Sequence, residues 1–265
     1  MLCEGLASVR ASRPLVHHIT NYVTVNDCAN MTICAGGAPV MSDALEDVVG
    51  MVSISDALVL NIGTLNPRTV ESMLTAGTAA RSKGVPIVFD PVGAGATAYR
   101  TSVAEIIIRN LHPQVIKGNA GEIGVLSGLG GEVRGVDSST SGDISEAVRE
   151  LAKRNGCIVA ATGPVDYVSD GEVVVELSNG TPMEERVSGT GCMLSSVIGC
   201  YVGALGATID AVVSAITVFN IAAEDAVARS NGPGSFKTAF LDAMAGMDGD
   251  DLESRSKIKA SSGRR

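Results

Sequence analysis

The feature that most constrains the fold is a regular alternation of short apolar segments with longer helical patterns through the first two thirds of the chain. Such alternation is typical of right-handed βαβ units, which build a mostly parallel sheet with helices on both faces. The predicted strands are 15–18, 39–41, 57–62, 86–90, 114–116 and 157–161, and the predicted helices are 25–35, 45–54, 69–83, 102–111, 120–126 and 144–155. The sequence therefore predicts an α/β fold with a mostly parallel central sheet.

The pattern changes in the last third of the chain. Ser169-Asp170-Gly171 separates two β-rich runs, which is a hairpin signal. The uncharged stretch 193–209 is short for a bilayer span and is interrupted by glycines, so we predict a buried helix there. Residues 248–265 are polar and aperiodic, which predicts a mobile tail after a single domain of residues 1–247.

Charge and composition exclude several classes of protein. The 265 residues include 20 basic and 29 acidic side chains, a net charge of −9, which disfavours binding to nucleic acids or to anionic membranes. The 45% hydrophobic content is sufficient for a large core. The six cysteines lack metal-ligand spacing, and the N-terminus lacks an apolar signal core. We expect a soluble cytoplasmic protein.

Polar, glycine-rich segments follow the predicted strands, at the sheet edge where ligands of parallel α/β proteins bind. Asp90 ends one strand, and Lys117 and Glu122 follow the next. Two carboxylates at neighbouring strand ends suit a Mg²⁺ ion that bridges nucleotide phosphates, and Lys117 can contact phosphate oxygens. Asn119 and Glu122 equally fit a helix capping box, so a structural role for Glu122 stays open.

A second glycine-rich turn, Ser188-Gly189-Thr190-Gly191-Cys192, directly precedes a long apolar helix. Free N–H groups at a helix N-terminus stabilise anions, although a plain turn with a small-residue cap fits the pattern equally well. Cys192 lies in the first helical turn, where the pKa of a thiol tends to fall. It could accept a proton from a substrate hydroxyl, act as a nucleophile, or be a small buried residue.

Seven motifs occur in order between residues 15 and 193, within a resemblance that runs from near residue 10 to about residue 245: LVHHITNYVTVNDCAN, APVMSDA, LVLNIGTL, IVFDPVGAGAT, VIKGNAGEI, ATGPVDYVSDG and SGTGCM. This succession resembles the hydroxyethylthiazole kinase family. The resemblance implies a ribokinase-like three-layer α/β/α fold and Mg-ATP-dependent phosphorylation of 4-methyl-5-(2-hydroxyethyl)thiazole on its hydroxyl, for thiamine biosynthesis and salvage. It also implies a homotrimer whose thiazole sites lie between subunits.

The resemblance assigns nucleotide-related roles to four residues by matching motif. Lys117 and Thr162 are implied to contact ATP. Asp90 and Glu122 are implied to handle the metal and the phosphates, with Mg²⁺ held directly or through water.

The resemblance also implies residues of the thiazole pocket. Met41 and Gly189 are expected to contact the thiazole, and Asn21 and Thr64 lie in matching pocket segments. Many ribokinase-like enzymes have an aspartate base at the position of Cys192. Cys192 is accordingly expected to orient or deprotonate the substrate hydroxyl.

Three alternatives remain open on the sequence. They are another ribokinase-like kinase, such as one acting on a pyrimidine alcohol; a Cys192-dependent hydrolase or acyltransferase; and a thiazole- or thiamine-binding protein without turnover. Asp90 and Glu122 are present, as is the Gly189–Cys192 loop, which disfavours the binding protein. Asp166 and Asp225 are interpreted as a turn acid and part of a solvated helix face.

Overall fold

The computed structural model describes residues 1–129 and 144–262, and within them the strands form one nine-stranded sheet. The strands are β1 Leu15–Ile19, β2 Ala38–Met41, β3 Ala57–Asn61, β4 Ile87–Asp90, β5 Val115–Asn119, β6 Ile158–Thr162, β7 Asp166–Ser169, β8 Val173–Leu177 and β9 Ile258–Ser262. Their spatial order is β2-β1-β3-β4-β5-β6-β7-β8-β9. The first six in this order are parallel and the last three pair antiparallel, which confirms the α/β prediction and the hairpin.

Helices cover both faces of the sheet, so the fold has three layers. The helices are α1 Leu2–Ser12, α2 Val25–Ala35, α3 Val48–Ile54, α4 Pro67–Lys83, α5 Ala98–Leu111, α6 Ala120–Ser127, α7 Ile144–Asn155, α8 Thr190–Leu205, α9 Ile209–Ala228, α10 Pro233–Ala245 and α11 Leu252–Arg255. A short 3₁₀ helix spans Pro182–Arg186. One core lies between the sheet and α1, α2 and α8–α10, and the other lies between the sheet and α3–α7. Successive strand residues alternate between these cores, as Leu58 and Val59 do.

Helix α8 lies directly on the sheet and confirms the predicted buried helix. A Cβ atom at Gly199 would lie 2.8 Å from Val59 Cγ2 and 2.9 Å from Val16 Cγ1, so only glycine permits this close approach. The neighbouring α9 is long and apolar enough to cross a membrane, but 78% of its apolar window is buried inside the protein. Core helices of soluble proteins share these properties.

Helix α5 begins four residues earlier than the predicted start at residue 102. The reason is Thr97, whose Oγ1 accepts a hydrogen bond from Arg100 N at 3.2 Å and caps the helix. The earlier start places Arg100 in the first turn of α5, beside the loops that follow β3 and β4.

The chain ends contain structure that the sequence analysis missed. Helix α1 buries Leu2, Leu6 and Val9, a short helical repeat. The tail that the sequence predicts to be mobile contains regular structure over residues 252–262, where α11 forms and β9 adds to β8 as an edge strand. Residues 263–265 lie outside the described part of the chain.

Candidate active site

Five polar side chains meet where the carboxyl ends of the central strands face the N-terminus of α8. We call them the polar cluster: Asn21, Asn61, Asp90, Lys117 and Cys192. All but Cys192 are buried. Asn21 Nδ2 donates to Asn61 Oδ1 at 3.0 Å, and Asn61 Nδ2 donates to Asp90 Oδ2 at 2.9 Å. The parallel strands bring these residues together although they lie far apart in the sequence.

Asp90 and Lys117 form a buried ion pair in this cluster. Lys117 Nζ lies 3.7 Å from Asp90 Oδ2 and donates to the Gly191 carbonyl at 3.0 Å. Burial alone would lower the pKa of Lys117, but the charge of Asp90 and other nearby acidic groups raise it. Lys117 is therefore a cation at neutral pH, held against the first turn of α8.

Cys192 lies in the first turn of α8, as predicted, and its Sγ accepts hydrogen bonds from Asn21 Nδ2 and Asn61 Nδ2, both at 3.3 Å. The expectation of a lowered thiol pKa is wrong. Burial raises the pKa of Cys192, and the charge of Asp90 adds to this, while Lys117 opposes it. The thiol is therefore protonated at neutral pH, which argues against the nucleophile interpretation.

Glu122 forms the capping box that the sequence allowed. Its Oε2 accepts from Asn119 N at 2.8 Å, and Asn119 Oδ1 accepts from Glu122 N at 2.8 Å. Its other oxygen, Oε1, accepts from Gly93 N at 2.7 Å and so connects α6 to the loop after β4. Burial and the charge of Asp90 raise the pKa of Glu122.

The donor set fits Mg²⁺ best when phosphate oxygens supply most of the ligands. Asp90 and Glu122 offer carboxylate oxygens at neighbouring strand ends, and Mg²⁺ in nucleotide sites uses one or two carboxylates and keeps several waters. Both Glu122 oxygens already accept backbone N–H groups, which favours contact through water. In residues 1–129 and 144–262, no group of three His, Cys, Asp or Glu side chains could hold a metal by itself.

Thr162 lies at the end of β6, opposite Asn119 in the strand register, and its Oγ1 donates to the Gly118 carbonyl at 3.3 Å. Nearby Asp166 is buried, so its interpretation as a turn acid is incomplete. Its two carboxylate oxygens accept from Gly163 N at 3.0 Å and from Asn220 Nδ2 at 2.7 Å. Burial raises the pKa of Asp166 to about 6.

Gly189 caps α8 in a conformation that side chains rarely adopt. Its φ is +92°, and a Cβ atom there would lie 2.3 Å from Thr24 Cγ2. Thr24 is held in turn by Asn21, whose Oδ1 accepts from Thr24 N and Oγ1, both at 3.0 Å. The N-terminus of α8 therefore packs tightly on the loop after β1.

Met41 and Thr64 lie at the same sheet edge, on the side formed by β2, β1 and β3. Met41 ends β2, which lies four strand positions from β5, roughly 19 Å at the usual strand spacing. Thr64 Oγ1 accepts from Tyr22 N at 3.2 Å. The structure thus places Met41 away from Lys117 and on the Asn21 side of the polar cluster, with Thr162 at the opposite end of the sheet edge.

Sequence reasoning missed two residues that organise the site. Ser195 Oγ donates to Asp90 Oδ2 at 2.7 Å. The sequence did hold a signal for Ser195: it lies three residues after Cys192 on the same helix, and residues at that spacing share a helix face. Arg100 gave no sequence signal, since its partners are backbone carbonyls.

Each of the two neighbouring histidines of β1 lies within hydrogen-bonding distance of other groups of the protein. His18 Nε2 lies 3.0 Å from Ser196 Oγ and its Nδ1 lies 3.0 Å from the Val16 carbonyl. Burial lowers the pKa of His18 to about 4. His17 Nε2 lies 2.8 Å from the Ser42 carbonyl.

Asp225, expected on a solvated helix face, forms an ion pair of 2.6 Å with Arg255.

Comparison with known proteins gives a consistent result over nearly the whole chain. Residues 6–250 match the model of the hydroxyethylthiazole kinase family. A hydroxyethylthiazole kinase of Methanoculleus marisnigri is 52% identical over 255 residues, covering 96% of this chain and 91% of the relative. One of Thermoanaerobacter pseudethanolicus is 48% identical over 259 residues, covering 97% of this chain and 98% of the relative.

Solved structures agree with this result. The structure of a hydroxyethylthiazole kinase from Pyrococcus horikoshii OT3 superposes with a TM-score of 0.91 at 38% identity, covering 98% of each chain. A pyridoxal kinase from Staphylococcus aureus, in complex with AMP-PCP and pyridoxal, has a TM-score of 0.66 at 16% identity, covering 94% of this chain and 99% of that one. The second similarity concerns the fold alone and corresponds to the expected ribokinase-like architecture.

Proposed function

Because the chain belongs to the hydroxyethylthiazole kinase family, we infer that it transfers the γ-phosphoryl group of ATP to the hydroxyl of 4-methyl-5-(2-hydroxyethyl)thiazole. The product is the thiazole phosphate used in thiamine biosynthesis and salvage. The protein is an ATP-dependent phosphotransferase with an alcohol acceptor. The observation that supports this most directly is the convergence of Asp90, Lys117 and the α8 N-terminus at one sheet edge.

The polar cluster explains how transfer can proceed without a covalent enzyme intermediate. Phosphoryl transfer depends mainly on positioning and on neutralising negative charge. Lys117, a buried cation, would contact phosphate oxygens, and the free N–H groups of Gly189–Cys192 would bind the transferring group. Mg²⁺ bound with Asp90 and Glu122 would neutralise phosphate charge.

Cys192 is proposed to orient the attacking hydroxyl. Its protonated thiol is fixed by two amide groups, so its position is well defined. The transition state of phosphoryl transfer is loose, so the alcohol needs little deprotonation before it attacks. A protonated thiol that positions the hydroxyl therefore suffices, and the proton can pass late to an oxygen of the transferring phosphoryl group.

The two substrates are proposed to approach from opposite ends of the sheet edge. Thr162, at the end of β6, and Lys117, within β5, lie on the side proposed for ATP. Met41, Asn21 and Thr64 belong to the side proposed for the thiazole. Gly189, at the start of α8, packs against Thr24, which Asn21 holds by two hydrogen bonds.

We further propose a homotrimer in which a neighbouring subunit completes the thiazole pocket near Met41. Large apolar side chains are exposed around this end of the edge: Tyr22 is 79%, Val23 60%, Leu45 38% and Val49 45% accessible. Such a patch is typical of an interface. Light scattering should give the mass of three chains, and Tyr22→Asp should shift the mass towards one chain and weaken thiazole binding.

A cytoplasmic location is proposed for the enzyme, without nucleic-acid or membrane partners. All six cysteines are free thiols, as is usual in reducing compartments. The net charge of −9 opposes association with polyanions.

The function is tested by measuring ADP release from Mg-ATP with and without the thiazole alcohol, together with mass detection of the phosphorylated product. We expect thiazole-dependent ADP release matched by product, and Asp90→Asn should abolish both. Activity on a pyrimidine alcohol but none on the thiazole would establish the other kinase reaction. Labelling of Cys192 by an acyl donor during turnover would establish the acyltransferase instead.

A further inference from the structure

We propose that Arg100 is a positioning residue for phosphoryl transfer: its guanidinium connects the loops after β3 and β4 and thereby fixes Asn61 and Asp90 relative to each other. The inference rests on the proposed kinase function, and none of the motif-based assignments includes this residue. Arg100 lies in the first turn of α5, half-buried behind the polar cluster.

The guanidinium makes three short hydrogen bonds to two separate loops. Nη1 donates to the carbonyls of Ile62 at 2.9 Å and Val92 at 2.8 Å, and Nη2 donates to the Gly63 carbonyl at 2.9 Å. Hydrogen bonds from a charged donor are stronger than those between neutral groups, and the planar guanidinium fixes their directions. Lysine cannot reproduce this geometry with its single nitrogen.

The loop after β4 is shaped to receive the guanidinium. Gly93 has φ of +78°, and a Cβ atom there would lie 3.0 Å from Arg100 Cδ and 3.3 Å from its Nη1. Gly93 N donates to Glu122 Oε1 on the other side. Arg100 and Glu122 therefore hold the same loop from two directions, which connects the ends of β3, β4 and β5.

These loops are directly joined to the polar cluster. Gly63 N donates to Asn61 Oδ1 at 2.9 Å, and Val92 N donates to the Asp90 carbonyl at 2.9 Å. Asn61 in turn donates to both Asp90 and Cys192. A shift of either loop would displace the carboxylate, the amide and the thiol relative to one another, even though Arg100 contacts none of the three.

The test compares Arg100→Ala with Arg109→Ala, which removes an exposed arginine from the last turn of the same helix. Because small misplacements at a reacting centre are costly, kcat of Arg100→Ala should fall roughly 10- to 100-fold, with a much smaller change in KM for the thiazole. Arg109→Ala should match the wild type. Arg100→Lys should retain part of kcat, and millimolar guanidinium chloride should restore part of it in Arg100→Ala, whereas sodium chloride at equal ionic strength should not. Wild-type kcat in Arg100→Ala, or a loss that neither lysine nor guanidinium relieves, would overturn the inference.

Hydrogen exchange provides a readout that does not depend on the substrate. In Arg100→Ala, amides of residues 61–65 and 92–95 should exchange faster, while those of Arg109→Ala should not. Unchanged exchange in both loops would also overturn the inference. A wild-type enzyme that does not phosphorylate the thiazole would contradict the proposed function instead, and the exchange experiment would still decide whether Arg100 connects the two loops.

Discussion

Cys192 shows how one side chain depends on distant neighbours. Its thiol accepts from two amide groups, one after β1 and one at the end of β3. The glycine-rich turn correctly predicted its place in the first turn of α8. The direction of its pKa shift could not be predicted, because burial by packed strands outweighs the local helix N-terminus.

Replacing Cys192 tests whether the position needs a base. Cys192→Ala should lower kcat about 10-fold, at or below the lower end of general-base effects, because the alcohol needs little deprotonation. Cys192→Asp should preserve or raise kcat, since a carboxylate accepts the same two amide N–H groups and takes up a proton more readily. Steady-state kinetics would measure both.

Near-complete loss of activity in both folded Cys192 variants would contradict this account and indicate covalent chemistry at the thiol. Thermal unfolding of each variant supplies the control. Asn21 and Asn61 should remain bonded to the introduced carboxylate, so the melting temperature of Cys192→Asp should stay near that of the wild type.

Glu184, on the 3₁₀ helix, links a single ionisation to stability. Burial raises the pKa of Glu184 from 4.5 to about 7, with further increases from Asp166 and other acids, although its Oε1 accepts from Thr181 N at 3.1 Å. A raised carboxyl pKa means that the folded state favours the protonated form. The contribution of Glu184 to stability is therefore present below pH 4.5 and is lost as the pH rises through about 7.

Glu184→Gln should consequently be more stable than the wild type at pH 8 by about 1–2 kcal/mol, a figure reduced because the side chain is only partly buried. At pH 4.5 the two proteins should differ little. Urea denaturation across this range would measure the difference, with the exposed Glu185→Gln as the matched control. If the stability of Glu184→Gln depended on pH in the same way as that of the wild type does, the expectation would be contradicted. Some pH dependence of stability should remain in the variant, because Asp166 still titrates.

At the scale of elements, the start of α8 combines backbone strain with close packing. Gly189 has a left-handed φ and leaves no room for a Cβ atom beside Thr24. The sequence predicted a glycine-rich turn before a helix. It could not reveal that Thr24, far away in the chain, closes the space, because that contact exists only in the folded protein.

Gly189→Ala should lower the free energy of unfolding by about 2–4 kcal/mol, from left-handed strain plus overpacking, and should reduce activity strongly. Gly84→Ala is the matched control, because Gly84 has φ of +72° with no atom within 4 Å of its Cβ position. It should lose only about 1 kcal/mol. Urea denaturation of both variants measures the difference, and equal losses would show that contact with Thr24 is unimportant.

Across the whole molecule, the sequence predicted the six parallel strands and the hairpin because each has its own apolar pattern. Strand β9 escaped prediction, since Ile258-Lys259-Ala260 gains its structure from β8 rather than from its own composition. The site residues that follow the ends of strands were predicted, because the sequence shows where strands end. Arg100 was missed, because a side chain that donates hydrogen bonds to backbone carbonyls leaves no pattern in the sequence.

A chain ending at Lys257, without β9, should therefore unfold at a temperature lower by roughly 5–10 °C, because a paired edge strand is lost. Its kcat should stay near the wild-type value, since β9 lies four strand positions from β5, about 19 Å away. Calorimetry and the ADP assay would check both, with a chain ending at Ser262 as control. An unchanged melting temperature would restore the interpretation of a mobile tail.

The late position of α8 has a consequence for synthesis. The face of the sheet formed by β1, β3 and β4 is covered by a helix that leaves the ribosome long after those strands, as the packing of Gly199 on Val16 and Val59 shows. At ordinary translation rates the delay is on the order of ten seconds. During that interval the nascent chain presents an uncovered apolar surface, which makes it a natural client for a chaperone.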